Sequence, residues 1–189
     1  MSFLVALASD MPLETLPNPH MKMLSVNEAL EQGVEVPKGM LMDYEIDRDE
    51  PGMIMWSDIE PAIDLENGIF DIPDPDDNFD IWPIDSGDDL QSEKAYLAAV
   101  EWSRCTPARA EILLDYIRRH MDSADELELW HTWMGGGGEE EFPPLVRTTE
   151  KKLCELSAVD ICEFCDTDVF GRYFENVDIG KQNRLLIRK

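Results

Sequence analysis

Positive charge is what this chain has least of. Its 189 residues carry 16 Lys and Arg against 41 Asp and Glu, a formal charge of −25 at neutral pH. A field of that sign repels nucleic acid and anionic membrane surfaces and attracts basic proteins, polyamines and metal cations. Long apolar runs are missing as well, since no stretch approaches the ~18 consecutive apolar residues of a membrane span. The opening run, Met1-Ser2-Phe3-Leu4-Val5-Ala6-Leu7-Ala8, ends in an Ala-x-Ala pattern. It has no basic segment in front and too short an apolar core for a secretion signal, so residues 2–8 read as a buried first strand. The four cysteines, Cys105, Cys154, Cys162 and Cys165, are too few for a disulfide scaffold and sit in segments patterned as regular structure. Reduced thiols and a cytoplasmic setting are the expectation.

Catalytic signatures are equally scarce. The run Gly135 to Gly138 lacks the Lys and Ser/Thr of a P-loop and leads into Glu139, Glu140 and Glu141, which repel phosphate, so it reads as a mobile loop. The only histidines are His20, His120 and His131, with neither a Gly-x-Ser-x-Gly elbow nor a His-Glu-x-x-His helix to accompany them. Each is expected to be structural, with His120 near a helix end whose dipole favours a cation. Cys162-Glu163-Phe164-Cys165 has the spacing of a zinc knuckle or redox pair, but there is no second pair. In a strand the two thiols point to opposite faces, and only a turn at 163–165 brings them together. Structural cysteines are therefore expected. Asp74, Asp76, Asn78 and Asp80 occupy the first, third, fifth and seventh places of an EF-hand-like loop and Asp85 the twelfth, but Phe79 stands where the turn needs Gly and Asp85 replaces the bidentate Glu. Met21/Met23, Met40/Met42 and Met53/Met55 are soft thioether pairs suited to Cu(I), or equally to the core face of a strand, the reading adopted here. No cofactor is implied.

Against these absences stands an apolar content of 43%, too high for disorder. The charge is lopsided: residues 1–90 hold 22 acids and three bases, Lys22, Lys38 and Arg48, whereas residues 91–189 hold 19 acids and 13 bases. Ser25-Val26-Asn27-Glu28 matches a capping box, with Gly33 placed to end a short helix. Met40 to Asp47 alternates apolar and polar residues, as a half-buried strand does. Ile63 to Ile72, around Asn67-Gly68, reads as a type I′ hairpin in which Leu65 faces Phe70, Ile63 faces Ile72 and Asp64 opposes Asp71. Ile81-Trp82-Pro83-Ile84 reads as an edge strand because Pro83 donates nothing to a ladder.

In the second half, residues 92–104 look helical. Thr106 and Pro107 mark the start of a helix running to about Met121, with Arg109, Arg118 and Arg119 largely outside its apolar stripe. Leu127 to Trp133 reads as a central strand apolar on both faces. Thr149 to Leu156 is expected as a short helix, Val159 to Phe164 and Val169 to Phe174 as strands, and 181–189 as a basic tail.

Together these features predict an α+β fold, a largely antiparallel sheet with helices packed on one face and strand order unspecified. The whole of 1–189 is expected to form one domain, with a strand-rich acidic half (1–90), a mixed half (91–180) and the tail. The function expected is that of a non-enzymatic acidic interaction protein, immunity-like or inhibitor-like, that binds a basic protein through residues 43–89. Asp64, Asp71, Asp74, Asp76, Asp77 and Asp80 supply charge there and Trp82 an exposed anchor. Nucleic acid and membrane are not expected partners, and the chain is expected to be a monomer or weak dimer. The alternative is a small Mg²⁺- or Ca²⁺-dependent hydrolase or cation-binding protein using the Asp-rich segment 71–89. An acidic surface that serves solubility alone is the third reading.

Overall fold

A computed structural model describes residues 2–64, 69–85, 90–134, 146–165 and 182–189. In chain order the elements begin with β1 (Ser2–Ser9), β2 (Met21–Leu24), α1 (Val26–Glu31), α2 (Lys38–Met42), β3 (Ile54–Ser57), β4 (Ala62–Asp64) and β5 (Ile69–Asp71). They continue with β6 (Asp80–Ile84), β7 (Tyr96–Glu101), α3 (Pro107–Met121), β8 (Glu126–Met134), β9 (Val146–Lys152), a 3-10 turn at Leu153–Glu155, α4 (Ala158–Cys165) and β10 (Gln182–Arg188). The chain divides into two compact units, one formed by Met1–Pro17 with Phe79–Lys189, the other by Asn18–Asn78.

The larger unit is a six-stranded sheet in the order β6-β7-β1-β8-β10-β9, antiparallel throughout except for the parallel pair β9 and β10. Strand alternation explains its two faces. Val5, Leu7, Val100, Leu127, Leu129, Leu185 and Ile187 form one core with Leu113, Leu114 and Ile117 of α3 and Ile161 of α4. On the opposite face Ala6, Ala8 and Trp130 cluster with Leu90. The fold is therefore α+β, a mostly antiparallel sheet with α3 and α4 on one side.

Helix α3 begins as its sequence indicates: the Thr106 hydroxyl accepts from Arg109 N and Pro107 fills the first turn. Arg109 itself is fully buried, contrary to its expected place outside the apolar stripe. Its guanidinium Nη1 donates to Ser103 Oγ and to the Arg104 carbonyl, both at 3.0 Å, which makes its burial tolerable.

Three further segments of this unit differ from the expectation. Residues 96–101 are strand β7, not helix: Ala98 and Ala99 are buried between neighbouring strands and packed layers, where small side chains suit close approach, and an alanine-rich run reads as helix when that packing is unseen. Segments 149–156 and 159–164 exchange types. Val146–Lys152 is β9, and Ala158–Cys165 is α4, started by a reciprocal pair in which Ser157 N donates to Asp160 Oδ2 and Asp160 N to Ser157 Oγ. The basic tail is strand β10, inserted between β8 and β9. Arg184 pairs with Glu128 and Arg188 with Glu126, so its positive charge is used within the sheet. The loop expected at 135–141 and the strand at 169–174 lie outside the described residues.

The smaller unit has its own core, in which Leu24, Val26, Ala29, Val36 and Ile54 are buried together. The Ser25/Glu28 capping box forms, and Gly33 takes a φ of 72°, the left-handed conformation that ends α1. Strands β2 and β3 pair antiparallel with Met23 opposite Met55. The strand expected over 40–47 is instead α2 followed by bends, because Asp43 and Asp47 carboxylates accept from Glu45 N and Asp49 N and fold the chain into Asx turns.

The 63–72 pairing is antiparallel as expected but shifted by two residues. Ile63 faces Phe70, Asp64 faces Ile69 and Asp71 faces Ala62. The two-residue shift removes the direct opposition of Asp64 and Asp71. Asn67 and Gly68 lie outside the described residues.

Candidate functional site

The smaller unit concentrates the charge, with 16 acids against Lys22, Lys38 and Arg48. Two of those cations are engaged locally: the Lys22 ammonium lies 5.2 Å from the centre of the Trp56 ring, and Arg48 donates to the Leu41 carbonyl at 2.7 Å. A knot of polar side chains holds the ends of the unit together. Asn18 Nδ2 donates to Asn78 Oδ1 at 2.9 Å, and Asn78 Nδ2 donates to Asp74 Oδ1 at 3.3 Å. Between them stands His20, whose Nδ1 meets Asp58 Oδ1 and whose Nε2 meets Asp77 Oδ1, each at 2.9 Å. Ionised carboxylates only accept, so a ring making both bonds carries protons on both nitrogens. Hydrogen bonds to Asp77 and then Asp58 accordingly hold the imidazole above its usual 6.5.

The expected partner-binding residues divide between the units. Asp71, Asp76 and Asp77 are exposed and Asp74 is half-buried, all in the smaller unit, where Asp64 ends β4. Asp80 and Trp82 belong to β6, at the edge of the large sheet. Among the described residues Asp80 Oδ1 is buried without a hydrogen-bond partner, and burial followed by the facing Glu101 raises this carboxyl above its ordinary range. Trp82 is 45% exposed. The edge beyond it is partly closed by Leu16, which exchanges two backbone hydrogen bonds of 2.9 Å with Ile81.

Alongside its carboxylates the smaller unit displays apolar groups. Met23 and Met55, cross-strand partners, are 59% and 67% exposed, and Met42 and Tyr44 stand out at 75% and 99%. Met23 and Met55 stand beside the core-facing Leu24 and Ile54 and point outward, contrary to the core-facing reading, whereas Met40 and Met53 pack on the core of the unit as that reading expects.

In the larger unit the polar centre is Glu128, only 4% exposed. Its carboxylate accepts from Ser92 Oγ at 2.7 Å, Trp130 Nε1 at 2.8 Å and Arg184 Nη1 at 3.0 Å. Arg184 also lies 5.5 Å from the Trp130 ring centre. Three donors converge on this buried carboxylate, which suits a structural pin. His120, expected to favour its cationic form, instead hydrogen-bonds with Ser9 Oγ at 2.7 Å, and burial lowers its pKa.

Sequence reasoning missed the His20 clamp and the Glu128 network, whose hydrogen-bonded pairs are up to 57 and 56 positions apart. Only the Pro-flanked His20 and the Trp130 two residues after a Glu offered a local signal. Among the described residues no three His, Cys, Asp or Glu side chains are placed to hold a metal ion. No family model matches the chain, and no curated protein or solved structure matches it.

Proposed function

We propose that the chain is a non-enzymatic interaction protein that binds a basic protein partner through its acidic segment 43–89, in the manner of an immunity protein or inhibitor. The observation that supports this reading is the combination found in the smaller unit: 16 acids on an independently cored scaffold whose outward strand face carries the Met23/Met55 pair. Carboxylates steer and orient a cationic partner, while flexible thioethers adapt to an apolar stripe on it. The partner this chemistry fits is basic and amphipathic. Asp71, Asp74, Asp76 and Asp77 supply charge and Asp64 extends it. A cytoplasmic monomer or weak dimer completes the reading.

The test uses two synthetic peptides of equal charge, oligolysine and an amphipathic Lys/Leu helix, titrated against the whole protein over a salt series. The amphipathic peptide should bind tighter, and affinity for both should fall as salt rises. Changing Asp71 and Asp76 to Asn should weaken both, whereas Met23→Thr with Met55→Thr should weaken only the amphipathic one. Absence of binding at low salt overturns the proposal. A melting temperature raised by Mg²⁺ or Ca²⁺ and insensitive to the peptides would favour the cation-binding alternative.

A further inference from the structure

Cys105 and a pair of cysteines 57 and 60 positions later lie together in the larger unit. Cys105 lies in the turn before α3, and Cys162 and Cys165 stand one helical turn apart on α4. The Sγ atoms of Cys105 and Cys162 are 3.6 Å apart, and the buried Cys165 follows one turn after Cys162 on α4. Because 158–165 is a helix, the three-residue spacing that would separate the thiols in a strand puts them on one side. The turn bearing Cys105 is fixed from within by Arg109, which grips Ser103 and the Arg104 carbonyl. Helix α4 is fixed by the Ser157/Asp160 pair and by Lys151 donating to Asp160.

We propose that Cys105 and Cys162 form a reversible disulfide site, oxidised by exchange with a small-molecule disulfide. A disulfide needs about 2.05 Å between sulfurs, so the two sulfurs must approach by about 1.5 Å. Cys105 and Cys162 are half-buried and Cys165 is fully buried, so a small oxidant has access to the first two. Cys105 sits at the positive end of the 15-residue α3, where a thiolate is stabilised.

In the first step the Cys105 thiolate attacks one sulfur of RS–SR, forming Cys105–S–SR and releasing RS⁻. In the second, Cys162 gives up its proton, attacks the Cys105 sulfur and expels the second RS⁻. Two protein thiols lose two electrons and two protons, and RS–SR becomes two RSH. The neighbouring Cys105 thiol and burial hold the Cys165 thiol well above its ordinary range. It therefore stays protonated and does not compete as nucleophile.

The experiment incubates the native full chain with oxidised glutathione, alkylates remaining thiols and maps the cysteine peptides. The expected product has lost Cys105 and Cys162 to one mutual cross-link, reversible by dithiothreitol, and carries glutathione only at the exposed Cys154, which reports that the oxidant was active. A variant combining Cys162→Ser and Cys165→Ser should trap glutathione on Cys105. Glutathione on Cys154 with Cys105 and Cys162 still alkylated overturns the proposal, as does a Cys162–Cys165 link or a cross-link that forms only after urea is added. The wild-type mapping decides the matter even if the double variant fails to fold.

Discussion

Trp130 and Glu128 stand two residues apart on the same face of β8, and the indole Nε1 donates to the carboxylate Oε2 at 2.8 Å. That bond, with those from Ser92 and Arg184, is what allows a charged group to lie 4% exposed within a sheet. Replacing Glu128 by Ala leaves the buried indole N–H without its acceptor and takes a partner from Ser92 and from the partly exposed Arg184, and should cost about 2–3 kcal/mol in urea unfolding. Replacing the exposed Glu150, which meets Arg188 at 3.4 Å, should cost less than about 1 kcal/mol. Similar costs at the two positions would mean that the Glu128 network contributes no more than a surface pair.

The two histidines titrate on opposite sides of the ordinary value. Hydrogen bonds to Asp77 and Asp58 raise His20, so the stability it adds is complete below 6.5 and is lost as pH rises through its higher native value. Burial lowers His120, so its contribution is complete above 6.5 and is lost as pH falls through its lower native value. An NMR titration of the imidazole Cε1 protons should show His20 above and His120 below 6.5, and Asp77→Asn should move only His20 downward. Coincident titrations would refute both assignments.

Two glycines make a controlled pair. Gly33 and Gly39 each have open space where a Cβ would stand, but only Gly33 has positive φ, +72°. Gly33→Ala should therefore destabilise by about 1 kcal/mol through backbone strain alone. Gly39→Ala, within α2, should stabilise by a few tenths to about 1 kcal/mol. Thermal melts that move the same way for both would contradict this assignment.

Thiol reactivity should follow exposure. In reduced protein Cys154, on the surface, should react first with an aromatic disulfide reagent, and the buried Cys165 last. All four should titrate once the chain is unfolded. A fast-reacting Cys165 would place α4 in a different orientation from the one described.

Elements with strong local punctuation were legible in the sequence. Thr106-Pro107, the Ser25/Glu28 box and the doubly apolar run of β8 each carry their instruction within a few residues. What could not be read there depends on partners. The alanines of β7 resemble a helix until strands on both sides demand small side chains, and the arginines of β10 resemble a tail until Glu126 and Glu128 receive them. The acidic concentration was visible as composition, but the division of its residues between two units was not. Nor was the gathering of Cys105 with Cys162, which depends on 158–165 being helical. The Met-x-Met pattern was seen, but its core-facing reading fits only part of it: Met40 and Met53 pack on the core while Met23, Met42 and Met55 are exposed, because the pattern does not say which member of a pair is covered.

The hydrogen bond between Asn18 and Asn78 has a bearing on how the chain finds its fold. It joins the two ends of a segment of roughly 60 residues, and just outside it Leu16 pairs with Ile81. If the smaller unit forms first, β1 and β6 are then separated by a short effective path instead of a long one. Loop-closure entropy scales as the logarithm of length, so the saving is about 2 kcal/mol on the search that brings these strands into one sheet. The acidic unit then acts as a clasp on the folding pathway, and weakening the Asn18–Asn78 tie should slow formation of the large sheet more than it lowers the final stability.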